Sequence, residues 1–292
     1  MANLKEIRTR ISSVKTTRQV TSAMKLVAAS KLKKAQDAII HFRPFADKLH
    51  EVLTMVSSNL GQEDVESPFT VDREPEKVLI VLIASNRGLC GGFNANVSKM
   101  AVELARTVYA SQWRRGNVEF MAIGKNGEKS ILSAGAKVVK ELHELLDDLN
   151  YEVLANWAGY LMDDFKRHRW DRIELVYNQF KNAGSQVPVV ERFLPVEKNP
   201  EESDEHLNFI FEPSKAEIVN RLIPMSLKIQ FYKAMLDSAA AENGARMIAM
   251  HKATDNATEL IKDLTVSFNK ARQAAITNQI IEVTSGADAL SG

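Results

Sequence analysis

Apolar residues in the first sixty positions recur at alternating intervals of three and four. The series runs Leu4, Ile7, Ile11, Val14, then resumes at Ala28, Leu32, Ala35, Ile39 and Phe42 and continues to Leu60. Only Arg18, Thr21 and Lys25 interrupt it. A seam of this length predicts one long helix built to pair with another, because spacing of three and four keeps one stripe facing a partner. Residues 257–275 repeat the pattern with Ala257, Ile261, Leu264, Phe268, Ala271 and Ala275. Glycine and proline agree. No glycine precedes Gly61, Pro44 is the lone proline before it, and residues 214–285 hold only Gly244 and Pro224. Both residue types are costly inside helices, so each end of the chain is expected to form a helix about 80–100 Å long. Two such helices most simply pair antiparallel, with the middle of the chain as a head at one end.

The middle follows another pattern. VLIVLIA (78–84) is a continuous apolar run and predicts a buried strand; residues 94–114 predict a helix. A second strand (118–124), a helix near 126–134, a short strand (136–142), a helix (151–167) and a strand (172–180) follow, and 187–196 is placed to close a hairpin. This order predicts a small, mostly parallel α/β domain. The acidic stretch 197–206 has no periodicity and is expected to be an exposed loop. The resulting division is 1–60, an N-terminal coiled-coil helix; 61–213, an α/β domain; and 214–292, a C-terminal coiled-coil helix.

Charge sharpens the division. The chain carries a formal net charge of +1, which gives no reason to expect nucleic acid as a partner, but residues 1–57 hold 11 basic and 4 acidic side chains. Residues 58–213 hold 18 and 25, so a basic first helix is joined to an acidic middle. A single cysteine excludes an internal disulfide and a CxxC metal site. No run reaches the roughly 20 apolar residues of a membrane span, and MANLKEIRTR lacks the apolar core of a signal peptide.

Candidate chemistry concentrates in SNRGLCGGFN (85–94), a glycine-rich turn between predicted strand and helix that contains Cys90. It invites three readings: a phosphate cradle, a catalytic thiol or a structural turn. The lysine and hydroxyl residue of a P-loop are missing, and Gly88, Gly91 and Gly92 do not have dinucleotide spacing. The alternative to a structural turn is a small-anion site, since glycine near a helix N-terminus favours anions. No histidine stands near Cys90 in sequence, and the six histidines are scattered, which leaves catalytic and metal sites unassigned. Asp147–Asp148 and Asp163–Asp164 are expected to be surface charge. The interruption at Arg18, Thr21 and Lys25 is expected to be a register shift, with Val20, Met24 and Val27 taking over the stripe. A compatible reading turns the polar residues toward other chains.

Three blocks then carry a resemblance. LKEIRTRISSVKTTRQVTSAMKLVAASKLKKAQ (4–36), NRGLCGGFN (86–94) and residues 245–287, beginning ARMIAMHKATDN, are similar to the N-terminal helix, central signature and C-terminal helix of the gamma subunit of F-type ATP synthases. The resemblance implies an antiparallel coiled coil of long terminal helices with an inserted Rossmann-like α/β domain. It also implies a rotary shaft that is not an enzyme by itself and carries no cofactor. Its expected partners are three α and three β subunits, an epsilon subunit and the membrane c-ring, on the cytoplasmic face of a bacterial inner membrane. Carried over residue by residue, it implies β-subunit coupling by Arg272 and Gln273, with Thr277, Glu282, Met24, Lys25 and Arg246 as further coupling candidates. Phe211 and Glu212 match the foot that faces the ring. Asn86 stands where the family commonly has aspartate. Two other classes, a nucleotide-binding α/β protein and a passive coiled-coil scaffold, are to be weighed against this reading.

Overall fold

A computed structural model describes residues 4–58, 67–196 and 215–291. Helix α1 runs Leu4–Ser58 and helix α6 runs Lys215–Ser291. At about 1.5 Å per residue these are about 80 Å and 115 Å long, so the C-terminal helix exceeds expectation. Between them lie β1 (Val78–Ile83), α2 (Phe93–Thr107), α3 (Ala110–Arg115), β2 (Val118–Ile123), α4 (Lys125–Ser133), β3 (Lys137–Glu141), α5 (Tyr151–Lys166), β4 (Arg172–Asn182) and β5 (Ser185–Leu194). The expected helix 94–114 is two helices. The chain breaks at Tyr109, whose backbone leaves helical values while its ring is buried and its hydroxyl donates to Glu174 Oε1 at 2.5 Å. A 3-10 turn at His143–Leu146, not anticipated, follows β3.

The chain divides into two compact units. One comprises the described parts of Met1–Ala28 and Met247–Gly292; the other comprises those of Ala29–Arg246. In the larger unit the five strands form one sheet in the order β3-β2-β1-β4-β5. β1 is central and pairs parallel with β2 (Val78 opposite Val118) and with β4 (Val78 opposite Arg172). β5 returns antiparallel along β4 as the expected hairpin. Strand β1 reads as unbroken apolar sequence because the sheet is covered on both faces. Leu79, Val81 and Ile83 point to a core formed with Leu154, Leu161 and Phe165 of α5 and Leu227, Phe231 and Met235 of α6. Val78, Ile80 and Leu82 point the other way, to Val97 and Ala101 of α2 and Ile131 of α4. The C-terminal helix is therefore part of the core of the α/β unit. Within this unit α1 also meets α6, with the rings of Phe42 and Tyr232 in edge contact at 4.9 Å.

The smaller unit is two helices. Ile7, Thr21, Ala28, Met250 and Ala257 are its buried residues. The Oγ1 atoms of Thr21 and Thr254 are 2.9 Å apart, which fixes the antiparallel register. Counting outward from that contact sets Lys25 level with Met250, Arg18 with Ala257, Val14 with Ile261, Ile11 with Leu264, Ile7 with Phe268 and Leu4 with Ala271. The expected register shift does not occur. Val20 and Val27 are 52% and 58% exposed, whereas Thr21 is 8% exposed. Thr21 tolerates the seam because its hydroxyl finds a partner there, so the three-four rhythm continues unbroken through its polar positions.

The fastening loop and the candidate coupling surfaces

Residues 85–94 leave the C-terminal end of β1, where the chain proceeds to β2 on one side while β4 lies on the other. In open α/β sheets such a switch point is where ligands commonly settle. Here the crevice is filled by the protein's own side chains. Ser85 N–H donates to Asn94 Oδ1 at 3.0 Å, and Asn94 Nδ2 reaches Cys90 Sγ at 3.2 Å. Ser85 Oγ donates to Arg87 O at 2.7 Å. Asn178 of β4 donates to Phe93 O at 3.2 Å, tying the loop to the neighbouring strand. Asn86 gives its amide proton to His143 O at 2.8 Å and accepts from the Lys125 N–H at 3.2 Å. An amide can do both; an aspartate in its place could only accept, so the departure at Asn86 has a local reason. Leu89 and Gly91 both adopt left-handed backbone, with φ of 62° and 59°, which folds the turn tightly.

Helix α6 closes over this turn. Cys90 and Phe93 pack against Ala241 and Ala245, and Cys90 is 1% exposed. Burial pushes the thiol pKa up, against smaller opposing effects of Ser85 and Arg246. A nucleophilic cysteine needs the reverse, so the catalytic-thiol reading fails on electrostatics as well as on partners. Arg246 spans the junction. Its Nη2 donates to Arg87 O at 3.0 Å and Gly88 O at 3.4 Å, and its Nη1 pairs with Glu242 Oε1 at 2.6 Å. Burial raises the Glu242 pKa, and Arg246 offsets part of that rise. Gly244, between these two residues, lies where an added Cβ would meet the Ala183 backbone at 3.3 Å. The turn is thus a fastener for α6, and Glu242 and Gly244 are parts of it that sequence reading missed.

Of the coupling candidates, Arg246 is engaged with another part of the described chain through its guanidinium. Met24 and Lys25 are half-buried on α1, and Arg272, Gln273, Thr277 and Glu282 are exposed on α6. Thr277 returns its hydroxyl to Gln273 O at 3.0 Å. The register places Met24 and Arg272 about 30 Å apart along the helix pair, so 18–25 and 269–279 do not form one patch. From Arg272 onward α6 runs past the level of Leu4, and Ile276, Ile280, Ile281 and Val283 are 49–71% exposed. Phe211 and Glu212 lie outside the described residues.

Two acidic features depart from expectation. Asp164 is buried and pairs with Arg169 at 3.0 Å, whereas Asp147, Asp148 and Asp163 are exposed. Glu128, Glu141 and His143 bring their ligand atoms within 4.8 Å of one another, a grouping that spacing in sequence did not suggest. His143 Nε2 lies 3.0 Å from Glu128 Oε2 but makes no hydrogen bond. Glu141 is exposed to solvent.

An α/β domain inserted between two long terminal helices, with α6 packed over the turn at its switch point, is the architecture of a stalk-type subunit. The sequence model of the ATP synthase family matches residues 3–290. The ATP synthase gamma chain of Flavobacterium johnsoniae is 53% identical over 293 residues, and that of Christiangramia forsetii 50% over 292, each alignment covering 100% of both chains. The chain belongs to the ATP synthase family, as a gamma chain, a non-catalytic subunit of that complex. A rotor chain of the Euglena gracilis mitochondrial ATP synthase matches in fold with a TM-score of 0.67 at 18% identity, over 94% of this chain and 98% of that one. No described helix is long and apolar enough to cross a membrane.

Proposed function

We propose that this chain is the central shaft of a rotary ATP synthase, turned by a membrane c-ring and pressing in sequence on three β subunits held with three α subunits. The observation that carries the reading is the end of α6 that runs beyond its described partner, α1. About 30 Å of helix continues past the level of Leu4, with four large aliphatic side chains outward and uncovered. Apolar surface of this kind on a helix end fits an enclosing apolar collar. Arg272 and Gln273 stand at the root of that end, where polar side chains can make the few directional contacts that a smooth collar cannot. Each orientation of such an asymmetric shaft changes the relative free energies of open and closed β conformations, which is how rotation and nucleotide affinity become linked. The α/β unit between the helices is the body on which an epsilon subunit and the ring act, with Phe211 and Glu212 at the foot. The division 1–60, 61–213 and 214–292 is proposed as shaft, body and shaft. The site of action is the cytoplasmic face of a bacterial inner membrane.

The test is assembly followed by locking. The chain is expected to co-purify at one copy with three α and three β subunits. A disulfide between a cysteine at Gln273 and a β subunit is expected to abolish ATP turnover coupled to ion pumping until it is reduced. Full coupled turnover in the locked complex overturns the rotor reading and leaves a passive scaffold.

A further inference from the structure

A seam rich in alanine and repeating every seven residues can match itself again after sliding by one heptad, about 10.5 Å. Something must select one of these alignments. Layer by layer, the described pair is apolar against apolar or a long polar stem against a buried residue, with one exception. At Thr21 and Thr254 two hydroxyls meet 2.9 Å apart. Each also lies near a carbonyl of its own helix: Thr254 Oγ1 is 2.8 Å from Met250 O and Thr21 Oγ1 is 3.1 Å from Arg18 O. A hydroxyl has one proton, and at this separation either of the two can give it across the pair in place of its own helix carbonyl. The flanking layers add size matching. The register sets the long stem of Arg18 level with Ala257, which is 7% exposed. A heptad slide in either direction would set Arg18 level with Leu264 or Met250, and Thr21 level with Ile261 or Met247.

We infer that Thr21 and Thr254 are positioning residues that key the axial register of the two helices, and through it the height of Arg272 and Gln273 relative to Met24 and Lys25. The hydrogen bond forms in one alignment only, whereas apolar layers tolerate several. The inference about register stands on the helix pair alone; its consequence for coupling rests on the rotor reading.

The experiment reads the register directly in the full-length chain by disulfide trapping. Ile11→Cys with Leu264→Cys reports the described alignment. Ile11→Cys with Ala257→Cys, and Ile11→Cys with Ala271→Cys, report slides by one heptad in the two directions. Each pair is placed in three backgrounds: parent, Thr21→Val/Thr254→Val, and Thr21→Ser/Thr254→Ser. Removing both hydroxyls by an isosteric swap leaves helix packing intact, so the described-alignment pair is expected to cross-link in every background. The slid pairs are expected to cross-link about fivefold faster in the valine background, the ratio that one ordinary hydrogen bond supplies, and at the parental rate in the serine background. Unchanged slid-pair rates in the valine background overturn the inference, whatever happens to the melting temperature. An equal rise in the serine background overturns it too, since the hydroxyls are then irrelevant. Faster sliding with unaltered coupling ratio in the assembled complex upholds the register key and counts against the rotor consequence alone.

Discussion

Arg246 and Arg272 carry the same guanidinium on one helix, and their surroundings ask opposite things of it. Arg246 holds two loop carbonyls and a mostly buried carboxylate. Its replacement by alanine leaves Glu242 without its cation in a site that already disfavours charge, and is expected to cost the isolated chain about 3 kcal/mol in urea unfolding. Arg272 is exposed, so Arg272→Ala is expected to change that stability by less than about 0.5 kcal/mol while lowering coupled turnover of the assembled complex. Sequence alone put both residues in one class, because nothing in the letters of ARM or KARQ says which guanidinium folds back on its own chain. Glu119 offers a test by pH. Burial pushes its pKa up, but Lys137 Nζ at 2.7 Å and the Trp170 indole N–H at 3.0 Å outweigh that and hold it below the usual carboxylate range. A lowered folded pKa means stability that is present above the unfolded pKa and lost as pH falls through the folded one. Glu119→Gln is therefore expected to be less stable than the parent by about 1 kcal/mol at pH 7, with the gap closing as the pH is lowered through the folded pKa.

Elements with a strong period were legible, and their contacts were not. The seam gave α1 and the far end of α6 because three-four spacing survives in the sequence even where Arg18 and Lys25 occupy it. The same rhythm concealed that residues 223–235 of α6 belong to the core of the α/β unit, since a helix packed on a sheet and a helix packed on a helix use similar stripes. The break at Tyr109 was hidden for a related reason. What ends α2 is a hydroxyl reaching Glu174 in β4, a tertiary bond with no local signal. Gly244 belongs at this scale as well. In a helix it costs about 1 kcal/mol relative to alanine, and the close approach of the Ala183 backbone gives the reason it is tolerated. Gly244→Val is expected to push α6 from the β4–β5 turn and lower stability by about 2 kcal/mol, measured by chemical unfolding, with Cys90 becoming easier to alkylate.

For the whole molecule, the sequence identity to gamma chains and the uncovered end of α6 lead to one further expectation. Ile276, Ile280, Ile281 and Val283 are all exposed on that end, so their joint replacement by serine removes nothing on which the folded chain depends. The unfolding midpoint of the isolated chain is expected to stay where it is. Assembly with α and β subunits is expected to weaken by tenfold or more, because covering even one such side chain contributes about 1.5–3 kcal/mol. Sedimentation of the mixed subunits measures both the stoichiometry and the loss.

The buried sulfur at position 90 has a practical consequence. It is the chain's sole thiol, it lies beneath the contact between the turn and α6, and its environment keeps it protonated. A reagent can modify it only when that contact opens. The rate of labelling, compared with that of a free thiol at the same pH, is therefore a clock for local opening and gives its free energy directly. The chain carries its own gauge of how firmly its body grips its C-terminal helix, readable in the isolated subunit without a cysteine being introduced.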